Sequence, residues 1–72
     1  MRTSVFEQSK RLRECIGLIA EGYTMKEAGL KLGIARRTVL MHLTRAKMLM
    51  HAKNTTHLIA KCYQVGILPF KE

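Results

Sequence analysis

Basic side chains are concentrated in the middle of this 72-residue chain, where almost no acid opposes them. The whole chain has a formal net charge of +8, and the segment 26–61 has a single acid, Glu27. The basic residues of this segment are Lys26, Lys31, Arg36, Arg37, Arg45, Lys47, Lys53 and Lys61. Because lysine and arginine bind phosphate groups, the composition predicts a nucleic acid or a membrane surface as the partner.

The other reactive side chains do not form a catalytic or metal-binding set. The three histidines lack a second histidine or a cysteine at the spacing that zinc ligands need. The few acids supply no paired carboxylates, and no Ser-His-Asp set or phosphate-binding loop can be assembled. We therefore expect no enzyme activity, no metal and no cofactor, and we expect His42 to lie partly buried and satisfied by a neighbour.

Cys15 and Cys62 both lie in apolar segments with helical spacing, which favours two buried free thiols over a disulfide. No apolar run reaches the roughly 18 residues that a membrane span needs, and the N-terminus lacks the apolar segment of a signal peptide. These features predict a protein of the reducing cytoplasm with no membrane partner.

Apolar residues at helical spacing predict an all-α fold of four helices, because no segment shows the alternation typical of a strand. Leu12, Cys15 and Ile16 begin one apolar stripe, and Val39 and Leu43 begin another. The expected helices span about residues 5–21, 25–32, 36–50 and 55–64. A chain of this length predicts one domain, residues 1–72, with a small core.

Capping residues and glycines mark the expected helix ends. Ser4 and Thr24 are each followed three residues later by a glutamate, which is the spacing of a capping box. Gly33 is expected to end the second helix in a left-handed conformation. Asn54 is a good N-cap for the fourth helix.

Residues 24–50 have the plan of a helix-turn-helix, in which the second helix of the pair enters the major groove of DNA. Gly29 is the small residue expected where two helix backbones approach closely, and Gly33 supplies the turn. Ile34 and Val39 are expected to fill the hinge.

The segment "LIAEGYTMKEAGLKLGIARRTVLMHL", followed by "NTTHLIAKCYQVGIL", resembles the DNA-binding domain of LuxR/GerE-type regulators, also found in NarL-like response regulators. The resemblance runs without a gap from about Gln8 to Leu68, and a domain of this kind standing alone resembles the short GerE-like members. It implies a transcription regulator with helix 36–50 as the recognition helix and the fourth helix as the dimer interface. It also implies a bacterial, phage or plasmid origin and a nucleoid-associated protein in the cytoplasm.

Three positions depart from the family pattern. Ala35 stands where the family usually has a serine or a similar N-cap, and His51 stands where many members have glycine. Leu40 occupies a position where the family commonly has lysine or arginine. An apolar side chain there cannot donate a hydrogen bond, but it can pack on the C5-methyl group of thymine.

The resemblance and the basic cluster together give a set of expected DNA contacts. Helix starts favour phosphate through their free N–H groups and dipole, and the outward side of helix 36–50 faces the bases. The expected DNA-binding residues are Thr24, Lys26, Arg36, Arg37, Thr38, Leu40, Met41, Thr44, Arg45 and Lys47.

Two alternatives explain the apolar residues on the outward side of helix 36–50. An exposed apolar group often marks a protein-binding site, so Leu30, Leu40, Met41 and Met48 predict capture of another regulator, a sigma factor or RNA polymerase. Alternatively, the helix phase is off by one residue, and Leu40 or Met48 belongs to the core. A further resemblance, of "EGYT" and "LTRAK" to the promoter-reading domain of sigma factors, ends at the third helix.

The fourth predicted helix has apolar residues on two sides, whereas a single surface helix needs only one apolar stripe. The second stripe indicates a partner helix, and a two-fold dimer would read two half-sites about one DNA turn apart. The alternative is that Tyr63 only covers the core. The expected interface of a homodimer comprises Leu58, Ile59, Cys62 and Tyr63.

Overall fold

The computed structural model describes residues 10–68, which form four helices and contain no strand. The helices are α1 (Lys10–Ala20), α2 (Met25–Leu32), α3 (Arg36–Met50) and α4 (Thr55–Gln64). The all-α prediction is confirmed, and α2, α3 and α4 have the expected bounds. α1 ends one residue earlier than expected, and its expected start near residue 5, with the Ser4 cap, lies outside the described residues.

α3 is the central helix, and it packs against each of the other three. Its buried side consists of Val39, Leu43 and Ala46, as the helical spacing predicted. The core is completed by buried residues of the other elements, namely Leu12, Cys15, Ile16, Ala28, Leu58, Cys62 and Leu68. Both cysteines are free and buried, and burial raises the pKa of each thiol.

The turn from α2 to α3 depends on two glycines. Gly33 ends α2 with φ of 72° and donates its N–H to the Gly29 carbonyl. The Ile34 N–H donates to the same carbonyl at 2.9 Å. A Cβ on Gly29 would lie 2.6 Å from the Ile34 carbonyl oxygen, which is backbone and cannot rotate away. The expected close approach at Gly29 is therefore present, and it fixes the direction in which α3 leaves the turn.

The end of α3 and the start of α4 are joined by a short capped turn. His51 takes a left-handed conformation with φ of 56°, and its N–H donates to carbonyls of the last turn of α3. Asn54 caps α4 by accepting the His57 N–H at 2.8 Å, and the His57 Nδ1 accepts the Lys53 N–H at 3.0 Å. These bonds set the angle between α3 and α4.

Candidate nucleic-acid interface

One side of α3 is turned away from the core and carries large apolar side chains in solvent. Met41 is 64% exposed, Met48 is 72% exposed, and Leu40 is 43% exposed. Val39, Leu43 and Ala46, on the opposite side, are buried. The alternative in which Leu40 or Met48 belongs to the core is therefore wrong.

The exposed side chains of this side line one shallow depression, which we term the α3 outer face. It comprises Arg37, Leu40, Met41, Thr44, Arg45, Met48 and Leu49. Five of the expected DNA contacts are thus brought together. Leu49 was missed by the sequence analysis, because at 100° per residue it lies beyond Arg45, near the edge of the exposed arc.

The basic residues of α3 form no ion pair with the described part of the chain. Arg36, Arg37 and Arg45 are exposed, and Lys47 is half-buried. No ion pair joins any of them to another residue of 10–68, where the Arg11–Glu14 pair lies on α1. Positive charge on this helix is therefore not neutralised by described parts of the chain, which is the arrangement that attracts phosphate.

The start of α2 has a complete capping box. The Thr24 hydroxyl accepts the Glu27 N–H at 3.1 Å, and the Glu27 carboxylate accepts the Thr24 N–H at 2.8 Å. The Thr24 backbone N–H is therefore occupied, so Thr24 can approach a phosphate only through its hydroxyl hydrogen. Lys26, in the first turn of α2, is exposed.

The start of α3 has no side-chain cap, in contrast to the start of α2. Ala35 has the extended backbone of an N-cap but makes no side-chain cap bond, as its apolar side chain predicted. Backbone N–H groups in the first turn of a helix have no intrahelical acceptor. Arg36 and Arg37 therefore present both backbone donors and guanidinium groups at this end, and Thr38 follows them half-buried.

A second cleft joins α2 to α3. It lies between the end of α1, the start of α2 and the middle of α3, and its walls include Thr24, Leu40 and Lys47. Three expected contacts, the N-cap of α2 and two residues of α3, thus lie around one cleft. Next to them, the Lys31 Nζ lies 4.9 Å from the centroid of the Tyr23 ring, so this lysine is held against an aromatic face.

His42 is half-buried, as expected, but it makes no hydrogen bond to the residues that the structure describes. Burial lowers its pKa, and the charges of Arg45 and Arg11 lower the pKa further. The lowered pKa favours the neutral form of the ring. Within residues 10–68, no three His, Cys, Asp or Glu side chains gather in a group that could hold a metal ion.

α4 requires a correction to the expected dimer interface. Leu58 and Cys62 are completely buried in the core of the chain, so they have no surface to offer a partner. Ile59 is half-buried and packs against the core, and Tyr63 is 51% exposed. Val65, the residue that follows α4, is 62% exposed.

Comparison with protein families gives one match. A family model described as "Bacterial regulatory proteins, luxR family" matches residues 8–62 of the chain. The chain belongs to the LuxR family. This match confirms the predicted resemblance, and it identifies a DNA-binding helix-turn-helix transcription regulator. The LuxR family is a regulator family and not an enzyme family.

The LuxR match also bears on the resemblance to sigma factors. That resemblance ended at the third helix, whereas the LuxR match continues through α3 and into α4 as far as Cys62.

The searches of curated proteins and of solved structures gave no significant match. None of the helices in the described part of the chain is long and apolar enough to cross a membrane.

Proposed function

We propose that this LuxR-family chain reads double-stranded DNA by inserting α3 into the major groove and regulates transcription as a homodimer. The observation that carries the proposal is the α3 outer face, where exposed apolar groups lie between arginines that have no acidic partner among residues 10–68. We also propose that residues 1–72 form one domain, which acts in the nucleoid without a cofactor.

The dimensions of α3 suit the groove. An α-helix with its side chains is about 10–12 Å across, and the major groove is about 12 Å wide. The 15 residues of α3 have a length of about 22 Å, and the outer face occupies most of that length. Insertion of this helix places its outer face, and not its core side, against the base edges.

The remaining contacts divide by position. Arg37, Leu40, Met41, Thr44 and Arg45 lie on the outer face and are proposed to contact bases. The expected contacts that lie near helix starts or at the edge of the outer face are proposed to bind phosphates. They are Thr24, Lys26, Arg36, Thr38 and Lys47. Phosphate contacts position the protein without reading sequence, whereas base contacts give specificity.

The proposed dimer uses the exposed part of α4. Because Leu58 and Cys62 are buried, the contact is proposed to involve Ile59 and Tyr63. A two-fold axis through α4 would present two copies of α3 to half-sites about one turn of DNA apart.

The experiment that tests the proposal is affinity selection of random double-stranded DNA by the purified protein at about physiological salt. We expect a two-fold symmetric motif.

On the selected site, Arg37→Ala should lower affinity for the motif more than for unrelated DNA, by about 1–3 kcal/mol. Lys26→Ala should lower affinity for all DNA. It should also reduce the slope of log affinity against log salt concentration by about one, because one phosphate contact is lost.

The control is Lys61→Ala, which removes a lysine of α4 outside the proposed contacts. It should leave both affinity and salt dependence unchanged. Equal effects of Arg37→Ala and Lys26→Ala on every sequence would contradict the division between base and phosphate contacts. Failure to select any motif would contradict sequence-specific reading.

A second candidate function is an interaction module that binds another regulator, a sigma factor or RNA polymerase. The observation in its favour is Leu30, which is 75% exposed on α2 and adds to the apolar groups of α3. In this case Leu40→Arg should abolish partner binding and improve DNA affinity. In the proposed DNA complex, the same substitution should change the selected motif.

A further inference from the structure

The side chains of α3 offer an unusual selection of groups to a base pair. The helix contains arginine, lysine, threonine, the half-buried His42 and apolar residues, but no aspartate, glutamate, asparagine or glutamine. Asparagine and glutamine make the paired hydrogen bonds that identify adenine, and acids accept from the cytosine amino group. The outer face therefore lacks the amides that recognise adenine through paired hydrogen bonds and the carboxylates that accept from cytosine. Its Thr44 hydroxyl can donate or accept a single hydrogen bond, which does not distinguish the bases.

Apart from the Thr44 hydroxyl, this face has two kinds of group that can distinguish one base from another. Arginine can donate two hydrogen bonds to guanine, and an apolar side chain can pack against the C5-methyl of thymine. Leu40 and Met41 are the exposed apolar residues nearest the start of α3, where recognition helices commonly contact bases. Their side chains reach solvent, because they are 43% and 64% exposed.

The charges around these residues indicate which partner covers them. Arg37 and Arg45 lie four residues before and after Met41, and all three residues line the same depression. An apolar surface flanked by cations complements a groove that has methyl groups on its floor and phosphates along its edges. Arg37 and Met41 are about 6 Å apart along the helix axis, a rise that covers about two base pairs.

We propose that the α3 outer face reads thymine through its C5-methyl group, with Leu40 and Met41 packing against the methyls of neighbouring base pairs. This inference rests on the proposed DNA-binding function and names the bases that the same surface recognises. The binding site is expected to contain adjacent thymines, with a guanine within reach of Arg37.

The test replaces single thymidines by deoxyuridine in the site obtained from random DNA. Its base, uracil, keeps every hydrogen-bonding group of thymine and lacks only the methyl, so base pairing and the phosphates are retained. We expect affinity to fall about fourfold for each contacted methyl, which corresponds to one buried methyl group. Positions outside the half-sites serve as internal controls.

Protein variants then assign the methyl contacts to residues. Leu40→Ala and Met41→Ala should each bind the thymine and uracil forms of one site position equally, while retaining the preference at the other. The more exposed Met41 is the safer substitution if Leu40→Ala reduces stability. Leu30→Ala is the matched control, because it truncates an exposed leucine on α2 and should keep the full thymine preference.

The outcomes separate the inference from the function on which it rests. An enriched motif that is insensitive to uracil at every position would overturn methyl reading and leave sequence-specific DNA binding intact. The same insensitivity, together with tighter DNA binding by Leu40→Arg, would assign the apolar groups to a protein partner. A protein that retains no DNA at all would overturn both proposals.

Discussion

His51 adopts a backbone conformation at the end of α3 that side chains disfavour. Its φ of 56° makes it the one non-glycine residue with positive φ among those described. Many family members have glycine here by resemblance, and glycine enters this region without steric cost. The exposed imidazole is therefore expected to cost stability without contributing to the core.

His51→Gly is predicted to stabilise the fold by about 0.5–1 kcal/mol, the net of relieved strain and the greater freedom of glycine in the unfolded chain. The measurement is the urea midpoint of unfolding. Lys53→Gly is the control, since Lys53 is exposed without positive φ, and it should lower stability. A lower midpoint for His51→Gly would mean that the imidazole makes a contribution of its own.

The start of α3 is the weakest point among the described helix starts of α2, α3 and α4. α2 and α4 have side-chain caps from Thr24 and Asn54, whereas Ala35 provides none. Ala35 already has the extended backbone of an N-cap, with φ of −71° and ψ of 152°. A serine here could accept a backbone N–H of the first turn without moving the chain.

Ala35→Ser is accordingly predicted to stabilise the protein by about 1 kcal/mol, the usual value of an N-cap bond. For a domain of this size the melting temperature should rise by about 4–8 °C. Ala60→Ser makes the same chemical change at an exposed position within α4 and should give no gain. A similar gain in both variants would show that capping is not its cause.

The sequence was informative about elements wherever a local signal decided the outcome. Gly33 and Asn54 end and begin helices as predicted, because a left-handed conformation and an N-cap depend on neighbouring backbone alone. α4 shows where local signals fail. Its spacing gives two apolar stripes, and only the packing against α3 decides that Leu58 is buried and Tyr63 is exposed.

The same distinction applies to the candidate site. Periodicity placed Met41 and Met48 on the outward side of α3, since the opposite side is fixed by the buried residues. It did not reveal that the Thr24 N–H is bonded to the Glu27 carboxylate or that Leu40 and Lys47 share a cleft with Thr24. These features depend on side-chain conformation and on the angle between α2 and α3, which the spacing of residues does not encode.

At the scale of the whole molecule, the buried part of α4 belongs to the core of the chain, and its exposed part is where we propose the dimer contact. A dimer formed there would double the phosphate contacts and join two reading helices. The substitution that separates the two roles must lie on the exposed part, because a change at Leu58 or Cys62 would disrupt the core. Tyr63, which is 51% exposed, meets this requirement.

Tyr63→Glu is predicted to give a folded monomer, because two like charges would face each other across the two-fold axis. Sedimentation equilibrium should show the change in mass, and unfolding should show little change in stability. Affinity for a site with two half-sites should fall at least tenfold, since the second helix no longer binds as part of the same complex. Affinity for a single half-site should be unchanged.

Gln64→Glu is the matched control, because it adds the same charge at the neighbouring exposed position and retains the tyrosine. It should remain a dimer and keep its affinity for the full site. A wild-type protein that is monomeric both free and on DNA would show that α4 does not join two chains. In that case Tyr63 would serve to cover the core, and a single copy of α3 would have to supply all of the base contacts.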